Sequence, residues 1–391
     1  MNYRISQRAA SLSPSLTLAI DALAKKMRAD GMDVVGFGAG EPDFDTPQHI
    51  KEAAAKALAD GFTKYTPSSG IPELRQAIAD KFQRDNQLAY QPNQIIVSCG
   101  GKHSCYNVIL ATCQPGDEVI IPAPYWLSYP EMVKLAGATP VILPTTDQTE
   151  FRVAPGQLRA AITPRTRLFI LNSPSNPTGS LYSPDEIRAL GDICVEQGIL
   201  IMSDEIYEKL VYDGARHASV ASFSPAHYDH TIVVHGLAKA YSMTGWRLGY
   251  LAAPAPIAQA IDAIQSHSTS NPTSFAQKGG VAALNGPQDH LATWLAEYTR
   301  RRTYAHQRIN AIPGLSCVNA KGAFYLFPNI ARTGLKSREF CTRLLEQEKV
   351  AAVPGIAFGA DDYFRISYAT SMAQIEKGID RLERFVRTLT R

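Results

Sequence analysis

The sequence predicts an α/β protein whose core is a mostly parallel β-sheet covered on both faces by helices. Three observations lead there. Short apolar runs recur through the middle of the 391-residue chain, at 94–98, 118–122, 168–171, 200–203 and 231–235. Polar turns and amphipathic stretches separate these runs, the alternation expected of a parallel sheet with crossover helices. The chain is also longer than one ordinary core fills, and its 45% hydrophobic and 19% charged content is that of a densely packed globular protein.

Taken in order, residues 11–30 read as a helix with apolar positions near Leu18, Leu23 and Met27. A glycine-rich stretch at 34–41 then runs into Pro42 and Pro47, which interrupt regular structure. Thr46 is placed to cap a helix that carries Pro47 in its first turn and stops at Gly61. Ser183 and Glu186 form a capping box around Pro184, with Ile187, Leu190 and Cys194 on the inner face of the helix that follows. After about Asn285 the pattern changes. A long charged helix covers 291–310, strands follow at 322–327 and 363–368, and a last helix turns Ile375, Ile379, Leu382 and Val386 to one side. The expected division is a large domain over 46–285 and a smaller α+β domain in which 1–45 joins 286–391.

Several function classes drop out. The 39 basic and 36 acidic side chains leave a net charge of only +3, too little for a nucleic-acid binder. No apolar run approaches 18 residues, so no membrane span is expected, and residues 1–8 lack the apolar stretch of a secretory signal. The six cysteines, at 99, 105, 113, 194, 317 and 341, form no CxxC pair and are expected as reduced thiols in a cytoplasmic protein. No HExxH argues for a metal.

Ligands of open parallel sheets collect beyond the carboxyl ends of the strands, and five unusual clusters fall there. Gly100-Gly101-Lys102 follows the first run and opens a helix, a geometry suited to phosphate, although a diglycine is equally a plain tight turn. Lys239 follows the run at 231–235; it is either a solvated surface lysine or an amine placed to form an imine with an aldehyde. Arg247, eight residues on, suits paired bonds to phosphate or a surface ion pair. Asp204 closes another run, as a loop acid or as a carboxylate holding a pyridine nitrogen protonated. Tyr207, Trp126 and Asn176 are ordinary packing or turn residues taken singly. It is their combination with Lys239 that points to a site.

The segment Gly-Leu-Ala-Lys-Ala-Tyr-Ser-Met-Thr-Gly-Trp-Arg around Lys239 resembles fold-type I, class I/II aminotransferases, particularly the prokaryotic-type aspartate aminotransferases. The resemblance extends to 39–44, Lys64-Tyr65, Pro124-Tyr125-Trp126, Asn176-Pro177-Thr178-Gly179, 203–207 and Phe364-Arg365-Ile366-Ser367. It implies a seven-stranded central sheet, pyridoxal 5'-phosphate as cofactor, and a homodimer with shared active sites. By it, Lys239 carries the imine bond and shuttles the proton, Asp204 pairs with the pyridine nitrogen, Tyr207 and Asn176 contact the phenolic oxygen, and Trp126 stacks on the ring. Gly101, Lys102 and Arg247 then surround the phosphate, with Tyr65 reaching it from the neighbouring subunit. Arg365 takes the substrate α-carboxylate, helped by Gly40 and Asn176. Lys102, with Thr17 and the polar stretch 266–271, would meet a distal carboxylate. This favours aspartate and 2-oxoglutarate, with aromatic, prephenate, alanine or broad donor specificity as the alternative. Two departures stand out: Ala238, where many relatives have serine, and Ser13, where relatives that accept prephenate tend to carry lysine.

Overall fold

The computed structural model describes residues 3–389, with the side chains of Leu18 and Asp21 left aside. A seven-stranded sheet runs through its centre: β1 (Ile95–Ser98), β2 (Glu118–Ala123), β3 (Thr139–Pro144), β4 (Thr166–Asn172), β5 (Leu200–Asp204), β6 (Thr231–Gly236) and β7 (Gly249–Ala252). The spatial order is β1-β7-β6-β5-β4-β2-β3. Every pairing is parallel except those of β7, which runs antiparallel to both β1 and β6. The five apolar runs are five of these strands. The sequence reading missed β3 and β7. β3 is an edge strand bearing Pro140 and Pro144 and is only partly buried, so it lacks the apolar signature of its neighbours. β7 is four residues long and opens on glycine.

That glycine is required. A Cβ at position 249 would lie 2.2 Å from the Gly101 nitrogen, so β7 lies against the turn after β1 only without a side chain there. Apart from the edge strand β3, the strands are buried along nearly their whole length, as an α-covered parallel sheet demands.

A second apolar core gathers Val35 and Phe37 with residues of the last hundred positions, among them Trp294, Tyr298, Phe324, Phe340, Phe364, Ile379 and Phe385. Its short strands confirm the expected ones in part: Tyr325–Leu326 and Phe364–Ser367 pair antiparallel, and Val353–Pro354 completes three. Val35–Gly36 pairs parallel with Val350–Ala351, which ties the N-terminal segment to the C-terminal part. The closing helix Met372–Leu389 buries Ile375, Ile379, Leu382 and Val386, each about 1.5–3 kcal/mol in favour of the docked helix.

Three local expectations need correction. The helix expected over 11–30 is two helices, Gln7–Ala10 and Leu16–Ala29, with Pro14 between them. Its inner face is Ile20, Ala24 and Met27, whereas Leu23 is exposed and the side chain of Leu18 lies outside those described. Thr46 does not cap the helix Gln48–Ala59: Pro47 is the cap residue, and the Thr46 hydroxyl donates to the Ser242 carbonyl at 2.6 Å. A long-range acceptor won over the local one. The capping box at Ser183 and Glu186 is present.

Candidate active site

A cavity of about 400 Å³ opens where the carboxyl ends of the parallel strands meet the second core, within the size range of small-ligand sites. Gly40, Gly101, Lys102, Trp126, Asn176, Asp204, Tyr207, Lys239, Arg247, Arg365 and Thr17 all line it. Of the residues singled out in the sequence, Tyr65 stands apart: it is 92% exposed and does not reach this chain's cavity. The stretch 266–271 also lies outside it, largely exposed beyond the helix Ala255–Ser266.

Strand ends set one wall. The last residue of β5 is Asp204, which is buried and receives bonds from neutral donors alone. Tyr129 gives its hydroxyl at 2.6 Å, the Cys105 thiol lies at 3.8 Å on the same oxygen, and the Ile206 amide donates at 3.3 Å to the other. Burial pushes the Asp204 carboxyl above its ordinary range, and the Tyr129 bond works against that. β4 ends at Asn172, whose side chain donates to the Asp204 carbonyl and accepts the Asn176 amide, fixing the 172–179 turn to β5.

Lys239 enters three residues beyond β6. Its amine donates to the Gly40 carbonyl at 2.5 Å and sits 5.8 and 5.6 Å from the ring centres of Tyr207 and Phe324. Burial, reinforced by the positive charge of Arg365, lowers this amine to a pKa of about 8. At pH 7 roughly a tenth is then free base, about 300-fold more than for an ordinary lysine.

At the other end, helix Gly101–Thr112 starts directly after the Gly100 turn, whose φ is 91°. Among the described residues no backbone carbonyl accepts the Gly101 or Lys102 amide, so both N–H groups are open at a helix start. Arg247 is held over this turn by bonds to the carbonyls of Thr244 (2.9 Å) and Cys99 (3.4 Å). A Cβ at position 100 would lie 2.4 Å from an Arg247 nitrogen. Lys102 folds its ammonium over Trp126, 5.0 Å from the ring centre.

The opposite wall carries Arg365, fully buried and without an acidic partner among the described residues. It donates to the Asn176 side-chain oxygen (2.9 Å) and the Gly38 carbonyl (2.7 Å), leaving Nε without a partner among the described residues. Tyr325 stacks beneath the guanidinium and hydrogen-bonds Tyr207 at 2.8 Å. Thr17 presents a buried hydroxyl with no partner among the described residues. Sequence reasoning missed Tyr129, Tyr325 and Gly38. Nothing short of the fold links the first two to residues 75 and 118 positions away.

Glu205, Glu208 and His217 bring ligand atoms within 4.8 Å of one another. The protein already supplies their partners: Ser203 and Ser219 donate to Glu205, and the Lys81 ammonium lies 2.5 Å from Glu208.

The family model for class I and II aminotransferases matches residues 32–382. The chain belongs to that family. It is a pyridoxal-phosphate-dependent aminotransferase of fold type I, similar to bacterial aspartate aminotransferases. It is 50% identical over 388 residues to an aspartate aminotransferase of Geobacillus stearothermophilus, covering 98% of this chain and 99% of that protein. An aspartate/prephenate aminotransferase of Nitrosomonas europaea is 46% identical over 391 residues, 97% and 98% of the two chains. Among solved structures, the aspartate aminotransferase of Thermus thermophilus with maleate superposes with a TM-score of 0.94 at 42% identity, covering 98% of this chain and 100% of that one.

Proposed function

We propose that this aminotransferase exchanges amino groups between L-aspartate and 2-oxoglutarate, giving oxaloacetate and L-glutamate, with pyridoxal 5'-phosphate held in the cavity. One observation carries the reading: an amine tuned to about 8, a buried carboxylate and a buried guanidinium converge on the same space, each lacking a charged partner suited to it. The donor set fits the cofactor. The open amides of Gly101 and Lys102 and the Arg247 guanidinium would take the phosphate, Asp204 the ring nitrogen, and Trp126 one ring face. Tyr207, kept protonated by burial, would donate to the phenolic oxygen together with Asn176. When bound, the cofactor supplies an aldehyde that condenses with amines and a ring that accepts an electron pair.

The chain's own groups do the rest. Lys239 Nζ would take the proton from the α-carbon of the incoming amino acid and hand it on one position along. Arg365 pairs with the α-carboxylate through parallel bonds, replacing the neutral acceptors that hold it now, while Gly40 and Asn176 border the same space. That grip fixes which bond at the α-carbon faces the ring, favouring proton transfer over loss of carbon dioxide. Lys102 and Thr17 would meet a distal carboxylate, one as a charge and one as a hydroxyl. The dicarboxylate maleate that accompanies the Thermus enzyme supports that class of substrate.

The same reading makes the protein a homodimer in which Tyr65, exposed here, completes the partner's phosphate site. It divides the chain into 46–285 and a smaller unit of 1–45 with 286–391, which the pairing of Val35–Gly36 with Val350–Ala351 supports. It places the enzyme in the cytoplasm, supported by six free cysteines. A second reading, in which prephenate is also accepted, is favoured by the Nitrosomonas relative, while Ser13 in place of lysine weighs against it.

A panel of donors against 2-oxoglutarate tests the choice. Lys102→Ala is expected to lower kcat/KM for aspartate by about fivefold and to leave alanine within twofold, since a solvent-exposed charge contact contributes on the order of 1 kcal/mol. Equal losses for both donors would assign Lys102 to the cofactor alone.

A further inference from the structure

Asp204 is a buried acid with no cation within ion-pair distance among the described residues. What meets it instead is lopsided. One oxygen receives a single backbone amide, from Ile206, while the other takes both the Tyr129 hydroxyl and the Cys105 thiol. Tyr129 is fully buried and belongs to the helix Ser128–Leu135. Its ring meets Trp126 edge to face, 5.2 Å between centres and 83° between planes. One turn of chain therefore sets both a ring face of the cavity and the back of the carboxylate. The phenol at 2.6 Å is the shortest of the three bonds, and bonds to the ionised form oppose the neutralising effect of burial.

We propose that Tyr129 is a positioning residue: its phenol locks the plane of the Asp204 carboxylate and keeps that group an anion, so that the cofactor's ring nitrogen meets a negative charge. Cys105 is the weaker second donor to the same oxygen. The other titratable groups around Asp204 are Glu205, Tyr207, His235 and Lys239. None of them donates to the oxygen that Tyr129 holds. The proposal rests on the assignment of Asp204 to the ring nitrogen.

The test is the pH dependence of binding of pyridoxamine 5'-phosphate, followed by fluorescence. This compound carries the ring and phosphate and forms no covalent bond to Lys239. Relative to the unaltered protein, Tyr129→Phe is expected to move the acid limb of affinity upward by about one pH unit, the loss of one bond to a charged group. With 3-fluorotyrosine in place of Tyr129, a stronger donor of nearly the same shape, the limb is expected to move downward. Opposite shifts do not arise from disturbed packing, and the second protein keeps the question answerable should Tyr129→Phe not fold. In an Asp204→Asn background, Tyr129→Phe is expected to change nothing further. Limbs that coincide in all three proteins, with Asp204→Asn still weakening binding, would overturn the role of Tyr129 alone. Unchanged affinity in Asp204→Asn would overturn the Asp204 assignment, and this proposal with it.

Discussion

The cavity's two walls come from different kinds of sequence. Asp204, Asn172 and Lys239 lie at, or within three residues of, the ends of sheet strands, so the sheet fixes their positions. The facing wall is gathered from distant segments: Arg365 bonds Asn176 across 189 positions and Gly38 across 327. The two walls solve the same problem with opposite signs. Asp204 is a buried acid held by neutral donors, Arg365 a buried cation held by neutral acceptors, and neither pairs with an opposite charge among the described residues. A protein that sought only stability would pair or remove both, because unpaired buried ions are costly. Keeping them apart leaves each one able to meet a ligand group of complementary charge.

The largest expected effect breaks the strand-end wall. Lys239→Ala should keep the fold by circular dichroism yet lower kcat by more than about 10⁴-fold for every donor, since it removes both the amine and the proton carrier. Turnover near the normal rate would contradict the assignment of the amine.

Breaking the other wall should look different. Arg365→Ala is expected to lower kcat/KM by about 10³-fold for amino and keto acids alike, from the loss of two charge-assisted bonds. Pyridoxal phosphate affinity should stay within a few-fold. A large fall in cofactor affinity would mean that the walls are not separable.

The smallest effect concerns pH and needs no substitution. Lys239 has a pKa of about 8 when folded, against 10.5 for an ordinary lysine. The rate at which the unloaded protein forms a covalent adduct with pyridoxal phosphate should therefore rise about tenfold per pH unit below 8 and flatten above it. Between pH 8 and 10.5 the unfolded chain binds the extra proton. This group accordingly makes the unloaded fold more stable as pH climbs through that window, by about 3 kcal/mol in all. Denaturant midpoints that fall steadily across it would show that the amine is not depressed.

How much of this could be read before folding depends on range. The strand-end clusters were legible because a parallel sheet announces itself by apolar runs, and the residue after each run inherits a known place. Thr46 shows where such reading fails: its local role as a cap was sound chemistry, but the Ser242 carbonyl offered an acceptor that sequence cannot bring near. Tyr129 and Tyr325 failed for the same cause, as each acts on a partner from a different element.

By itself, then, the sequence determined the architecture and the family and brought the candidate site residues to notice, since these follow from local pattern and from residue types at strand ends. The tertiary structure alone decided which neutral groups hold Asp204 and Arg365, how far the Lys239 amine is depressed, and that β7 runs against its neighbours. Those are matters of burial and of contact between different elements of the fold, and no local rule encodes them.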